Sequence, residues 1–152
     1  MTKNLKGIYA ATVVPLRKNK SIDMGALSNH VKDIINTEGI KGLLLNGHAG
    51  ENFTLSAEEQ VEVIKIAKGN KKNNTKIISG LNFEDPLLAS NVAKKMIKAG
   101  ADAILIFPPF SWSQGISHEM IYQHHKVICN KIYKPVFIYQ SSIYSGHLSY
   151  KK

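Results

Sequence analysis

The chain has 152 residues, of which 43% are hydrophobic, and carries a formal net charge of +9 from 20 basic and 11 acidic side chains. These values indicate one globular domain and exclude a disordered chain. No apolar run reaches the roughly 18 residues that are needed to span a bilayer.

The positive net charge is compatible with nucleic-acid binding, but Arg17 is the one arginine in the chain. Lysines are poor substitutes for the bidentate contacts that arginines make with phosphate or guanine. Cys129 has no second cysteine to pair with, and the chain opens without a signal-peptide pattern. We therefore expect a cytoplasmic protein that binds neither nucleic acid nor membrane.

Strands and helices are predicted to alternate along the chain. Residues 42–45 and 103–107 are continuous apolar runs, which are typical of strands buried on both faces of a parallel sheet. The five predicted strands are residues 8–14, 42–46, 76–80, 103–107 and 136–139.

Four helices are predicted between these strands from their start and stop signals. The residues that can cap their first turns are Asp23, Ser56, Asp85 and Ser117. Ser56 and Glu59 have the spacing of a capping box, and Pro86 follows Asp85 at the favoured first-turn position. The first three helices are expected to end at Gly39, Gly69 and Gly100, and the fourth at about Lys131.

Repeated strand–helix units form either a doubly wound sheet or a barrel. The first predicted strand is not followed by G-x-G-x-x-G, and no G-x-x-x-x-G-K-[ST] loop occurs, so the two common nucleotide-binding motifs are absent. Unusual residues instead follow strand ends, at 46–51, 108–112 and 139–142. In α/β barrels the active site lies at these carboxyl ends.

Six segments resemble, in chain order, motifs of the dihydrodipicolinate synthase / N-acetylneuraminate lyase family. The segment at 47–51, Gly-His-Ala-Gly-Glu, resembles the family's Gly-Thr-Thr-Gly-Glu motif. The six segments are 11–16, 21–23, 47–59, 99–110, 122–124 and 139–149. The resemblance implies an α/β fold in which residues 1–152 form one partial domain: the N-terminal five strands and four helices of a (β/α)8 TIM barrel, truncated.

Members of this family are class I aldolases and related lyases, in which a lysine forms a Schiff base with pyruvate or another 2-oxo acid. The resemblance makes Tyr139 the catalytic tyrosine and Gly47, His48 and Ala49 the residues that hold the carboxylate of the 2-oxo acid. Ser111 stands at the substrate-binding rim, where many relatives have a second tyrosine. Because His48 and Ala49 replace two hydroxyl residues, we expect a member other than dihydrodipicolinate synthase proper.

The Schiff-base lysine of the family ends strand six, which would lie beyond Lys152. We therefore expect the chain to be inactive alone, with neither cofactor nor metal. The expected partners are a 2-oxo acid and either further copies in a homo-oligomer, as in the family's tetramers, or a complementing C-terminal half. The alternative is a non-catalytic half-barrel that serves in binding or oligomerisation.

Overall fold

The computed structural model describes residues 5–72 and 74–140, so the last resembling segment lies outside the described residues after Gln140. Five parallel strands form one sheet in the order β1-β2-β3-β4-β5. Their bounds are β1 Ile8–Ala11, β2 Ile40–Leu45, β3 Lys76–Leu81, β4 Ala103–Ile106 and β5 Val136–Ile138. All five predicted strands are present, each beside its neighbour in sequence.

The four predicted helices are also present, and each begins at the predicted cap. They are α1 Met24–Asn36, α2 Ala57–Asn70, α3 Pro86–Ala99 and α4 His118–Cys129. The predicted capping box forms in full, because Glu59 N donates to Ser56 Oγ and the Glu59 carboxylate accepts from Ser56 N. Local sequence signals therefore determine where each helix starts.

Several predicted ends were wrong by a few residues. β1 stops at Ala11 and not at residue 14, because the chain then turns into a hairpin-like loop closed by the Leu16–Ile22 bridge. α1 stops at Asn36, where the extended backbone of Thr37 precedes the left-handed Gly39. α2 runs through Gly69 to Asn70, since a glycine with a helical backbone weakens a helix without ending it.

One face of the sheet forms the hydrophobic core with the helices. Alternate residues of each strand point to this face, and those of β2, β3 and β4 are almost fully buried. They are Leu43, Leu45, Ile77, Leu81, Ile104 and Ile106. On α3, Leu88 is 48% exposed and the adjacent Ala89 is buried.

The opposite face carries the intervening residues, and two glycines allow aromatic rings to lie against it. A Cβ atom on Gly42 would come within 2.5 Å of the Tyr9 ring, and one on Gly80 within 2.8 Å of the Phe107 ring. The outer strands present apolar side chains to solvent, since Ile8 is 65% and Ile138 is 42% exposed. No described helix is long and apolar enough to cross a membrane.

Candidate active site

The loop after β2 turns sharply at the carboxyl edge of the sheet. Asn46 and Glu51 adopt left-handed backbone conformations, with φ of 51° and 49°. Between them, Gly50 N donates to Gly47 O and Glu51 N donates to His48 O, each at 3.0 Å, in a short 3₁₀ helix, His48–Gly50. These contacts fold the predicted carboxylate-holding segment into one compact loop.

Some backbone amides of this loop form hydrogen bonds within the loop, and others do not. Gly50, Glu51 and Asn52 donate to carbonyl groups of the loop itself. Within the described part of the chain, no backbone hydrogen bond outside the regular elements uses the N–H groups of Gly47, His48 or Ala49. Successive free N–H groups in a turn are a typical anion site.

Buried amide side chains anchor the loop from below. Asn46 Nδ2 donates to Gln60 O and to Ser79 Oγ, both at 3.0 Å. Gln60 Nε2 in turn donates to Asn52 O at 2.8 Å and to Leu55 O at 3.1 Å. The loop is therefore tied to α2 and to β3 at once.

The sequence interpretation missed this amide network, although one signal for it exists. Gln60 precedes Val63, Ile64 and Ala67 at three, four and seven residues and so belongs to the buried stripe of α2. A polar residue on an apolar helix stripe needs internal hydrogen-bond partners. The sequence does not say that the backbone carbonyl groups of Asn52 and Leu55 are those partners.

Gly80 allows the same loop to approach β3 closely. A Cβ atom there would lie 2.1 Å from the backbone oxygen of Asn46. Because backbone cannot give way as a flexible side chain can, any larger residue would push the loop off the sheet.

The predicted residues His48 and Tyr139 come together at this edge. The His48 ring stacks on Phe107 with centroids 4.3 Å apart and meets the Tyr139 ring edge-on at 5.9 Å. Phe107 and Tyr139 are themselves 4.7 Å apart. Tyr139 N donates to Ile106 O at 2.8 Å, which fixes the tyrosine directly after β5 and beside β4.

The protonation state of His48 suits it to form hydrogen bonds as a neutral ring, and not to form an ion pair. Partial burial lowers the pKa of its imidazole from the ordinary value, so the ring is mainly neutral at pH 7. A neutral imidazole has one donor and one acceptor nitrogen. His48 can thus donate one hydrogen bond to a bound carboxylate.

Ser111 does not join the His48–Tyr139 pair. It lies in the 3₁₀ helix Phe110–Gln114, where its backbone N donates to Glu84 Oε1 at 3.2 Å and its hydroxyl donates to Glu84 Oε2. Its neighbour Phe110 faces the site instead, stacked 6.1 Å from His48. Among the described residues, no group of three or more His, Cys, Asp or Glu side chains could hold a metal ion.

The chain matches the Dihydrodipicolinate synthetase family over residues 4–148. Among solved structures, CdNal from Clostridium difficile, solved in complex with mannosamine, is 29% identical, with a TM-score of 0.82 over 90% of this chain and 46% of its own. The dihydrodipicolinate synthase of Aquifex aeolicus is 25% identical, with a TM-score of 0.82 over 90% of this chain and 45% of its own.

A third structure, the dihydrodipicolinate synthase DapA-2 of Bacillus anthracis, is 27% identical, with a TM-score of 0.75 over 88% of this chain and 45% of its own. The chain therefore spans about half the length of the solved structures that it matches. These structures confirm the predicted α/β fold, which corresponds to half of a TIM barrel. The chain belongs to the Dihydrodipicolinate synthetase family.

Proposed function

We propose that this chain supplies half of the active site of a class I aldolase or lyase, which forms a Schiff base with pyruvate or another 2-oxo acid. The observation that carries the proposal is the meeting of His48 and Tyr139 over Phe107, at the carboxyl ends of β2 and β5. In the TIM-barrel fold these ends surround the catalytic centre.

Tyr139 is the proton-transferring residue in this proposal. Its side chain is 38% exposed at the sheet edge, and its ring is held by Phe107 and His48. A phenol in that position can move a proton to or from the carbinolamine that precedes the Schiff base.

The loop at Gly47, His48 and Ala49 holds the carboxylate of the 2-oxo acid. Its unused N–H groups provide hydrogen-bond donors, and the neutral His48 imidazole adds one more. His48 and Ala49 replace the two hydroxyl residues of the resembling motif, so we favour a substrate other than that of dihydrodipicolinate synthase. Ser111 contributes at the rim, through the loop that it ties to Glu84.

The Schiff-base lysine comes from a complementing segment. Lys41 and Lys76 lie at the amino ends of β2 and β3, opposite to the catalytic edge. The lysines of the helices lie in the outer layer. They are Lys32, Lys65, Lys68, Lys94, Lys95, Lys98 and Lys126. On this basis residues 1–152 form a partial barrel domain that turns over no substrate alone.

The protein is further proposed to work as a homo-oligomer in the cytoplasm. Phe53 and Phe110 are 56% and 53% exposed and contact each other edge-on at 5.8 Å. This pair is the surface that we propose for a subunit contact. The single cysteine suits a reducing compartment.

Borohydride trapping tests the proposal, because it reduces a Schiff base to a stable amine. The chain is incubated with pyruvate and borohydride, both alone and joined to the C-terminal half of CdNal. Mass spectrometry then measures the mass of each protein and identifies any modified lysine. We expect one adduct, on a lysine of the added half, and none on the chain alone. An adduct on a lysine of this chain would contradict the assignment.

Two tyrosine variants then test the catalytic role in the joined protein. Tyr139→Phe should lower kcat roughly 100-fold or more, the usual contribution of a general acid–base group. Tyr133→Phe is the matched control, since Tyr133 is 82% exposed on the amino side of β5. Equal activity of the two variants would remove Tyr139 from the mechanism.

A second candidate function is a non-catalytic half-barrel that binds or oligomerises. The exposed apolar residues Ile8 and Ile138 on the outer strands favour it, because exposed sheet edges readily pair with other chains. If this second function is correct, sedimentation analysis will find stable dimers. Borohydride will then trap no adduct, even in the joined protein.

A further inference from the structure

A second cavity lies in the outer layer, between α3, α4 and the loop that connects β4 to α4. Its volume is about 590 Å³, within the range of small-molecule sites. His48, Phe107 and Tyr139 are not among its lining residues. The cavity therefore lies beside the candidate active site and shares Ser111 with its rim.

Most of the cavity wall is apolar. Trp112 is 6% exposed, and its ring contacts the His124 ring edge-on at 5.2 Å. Met120, at the start of α4, also lines the cavity and is 61% exposed. A flat indole beside a flexible thioether suits an aromatic or branched aliphatic group.

One imidazole in the wall is buried and has no hydrogen bond. His124 lines the cavity and is 7% exposed, yet within the described residues its ring makes only aromatic contacts. Burial and the neighbouring His125 lower the pKa of His124 to about 4, although Glu84 and Asp85 oppose this effect. The ring is therefore neutral at pH 7 and adds no positive charge.

The charged group in the wall is a carboxylate. Glu84 lines the cavity, and its two oxygens are held by Ser111 N and Ser111 Oγ. Each carboxylate oxygen can accept a further hydrogen bond. Among the described residues, no lysine or arginine lines the cavity, in a chain whose formal net charge is +9.

Gln123 adds a further acceptor to the cavity wall. Its Nε2 donates to Glu119 Oε1 at 2.6 Å, which leaves its own carbonyl oxygen as an acceptor. The wall thus combines acceptors and negative charge, which disfavours a 2-oxo acid and favours a cation.

We propose that this cavity binds a small organic amine with an apolar body. The ammonium group pairs with the Glu84 carboxylate and donates a hydrogen bond to the Gln123 carbonyl oxygen, while the apolar body lies against Trp112 and Met120. His124 offers one donor and one acceptor to any second polar group of the ligand.

Trp112 is the one tryptophan of the chain, so its fluorescence reports directly on this cavity. The full chain is titrated at pH 7 with 2-phenylethylamine and, separately, with 3-phenylpropionate, which has a similar shape and the opposite charge. We expect a saturable fluorescence change with the amine, and binding of the carboxylate about tenfold weaker or absent.

The same substitution at two glutamates separates site binding from general charge effects. Glu84→Gln should weaken amine binding about fivefold to tenfold, by loss of a charge-assisted hydrogen bond. Glu62→Gln is the control, because Glu62 lies on α2, paired with Lys65 and outside the cavity. Both variants should keep the circular dichroism spectrum of the parent chain.

Three results would overturn the proposal. They are the absence of a saturable change with the amine, equal binding of amine and carboxylate, and equal binding by the two variants.

Discussion

The two faces of the sheet differ in how completely their residues are buried. On the helix-covered face, alternate strand positions carry leucine and isoleucine with almost no exposure. On the other face, glycines at 42 and 80 lie beneath aromatic rings, and Leu44 and Phe137 remain partly exposed.

We infer from this difference that the helix-covered face mainly stabilises the fold, whereas the opposite face carries the groups that serve chemistry. Aliphatic side chains on the covered face remove a large apolar area from water, which is the main driving force of folding. The uncovered face gives up part of that burial and keeps aromatic and polar groups accessible at its carboxyl edge. The following three predictions test that division, in order of expected effect.

Adjacent leucines of β2 give the most direct test, because they point to opposite faces. Leu43 is fully buried and Leu44 partly exposed. Leu43→Ala should lower the free energy of unfolding by roughly 2–5 kcal/mol, the usual cost of such a cavity. Leu44→Ala should lower it by about 1 kcal/mol or less, since less area is buried. Urea denaturation measures both, and equal losses would show that the faces contribute alike.

Gly80 tests the close contact between the loop after β2 and β3. Gly80→Ala should lower the free energy of unfolding by about 3 kcal/mol, since the added methyl group meets the Asn46 carbonyl. Gly69→Ala is the control: a Cβ atom at Gly69, inside α2, meets nothing within 4 Å. That change should raise the free energy of unfolding by about 0.5–1 kcal/mol. If Gly80→Ala were neutral in thermal melts, the close approach would be wrong.

The third prediction concerns the pH dependence of folding stability. It compares the contribution of His124, in the helix layer, with that of His48, at the carboxyl edge of the sheet. The pKa of His124 is about 4 in the folded chain and about 6.5 when unfolded. The unfolded state therefore binds a proton first as pH falls, and folding stability drops between pH 6.5 and 4. By pH 4.5 this loss should reach about 2 kcal/mol.

His124→Gln should remove that pH-dependent loss, as measured by urea denaturation at pH 7 and pH 4.5. His48→Gln should remove less of it, because His48 is exposed and its pKa is lowered only by partial burial. Carboxylates titrate in the same pH range, so the result is the difference between each variant and the parent chain. An unchanged loss in His124→Gln would place the pH effect elsewhere.

Much of the fold could be predicted from the sequence, because its signals are local. Caps such as Asp23 and Ser56 bond to amides within three residues, so their spacing alone identifies the helix starts. The apolar run of β4 likewise identifies a strand, although Leu105, on the uncovered face, is partly exposed. The end of β1 could not be predicted, because it depends on the later pairing of Leu16 with Ile22.

The candidate site could be predicted in part. The resemblance placed His48 and Tyr139 in one site, and their rings do meet, although each role stays a prediction. The Phe107 ring between them could not be predicted, because it depends on Gly80 lying beneath it. The bond from Ser111 to Glu84 joins residues far apart in sequence, and no spacing rule indicates it.

The strand order has a consequence for how the protein is made. Every strand pairs with the strand that precedes it in the chain, so each ladder closes as soon as one further strand–helix unit leaves the ribosome. Each closure spans one strand–helix unit, so its entropic cost is smaller than that of pairing strands far apart in the chain. Synthesis from the amino end can therefore build the sheet strand by strand, with the edges of β1 and of the newest strand open at each stage.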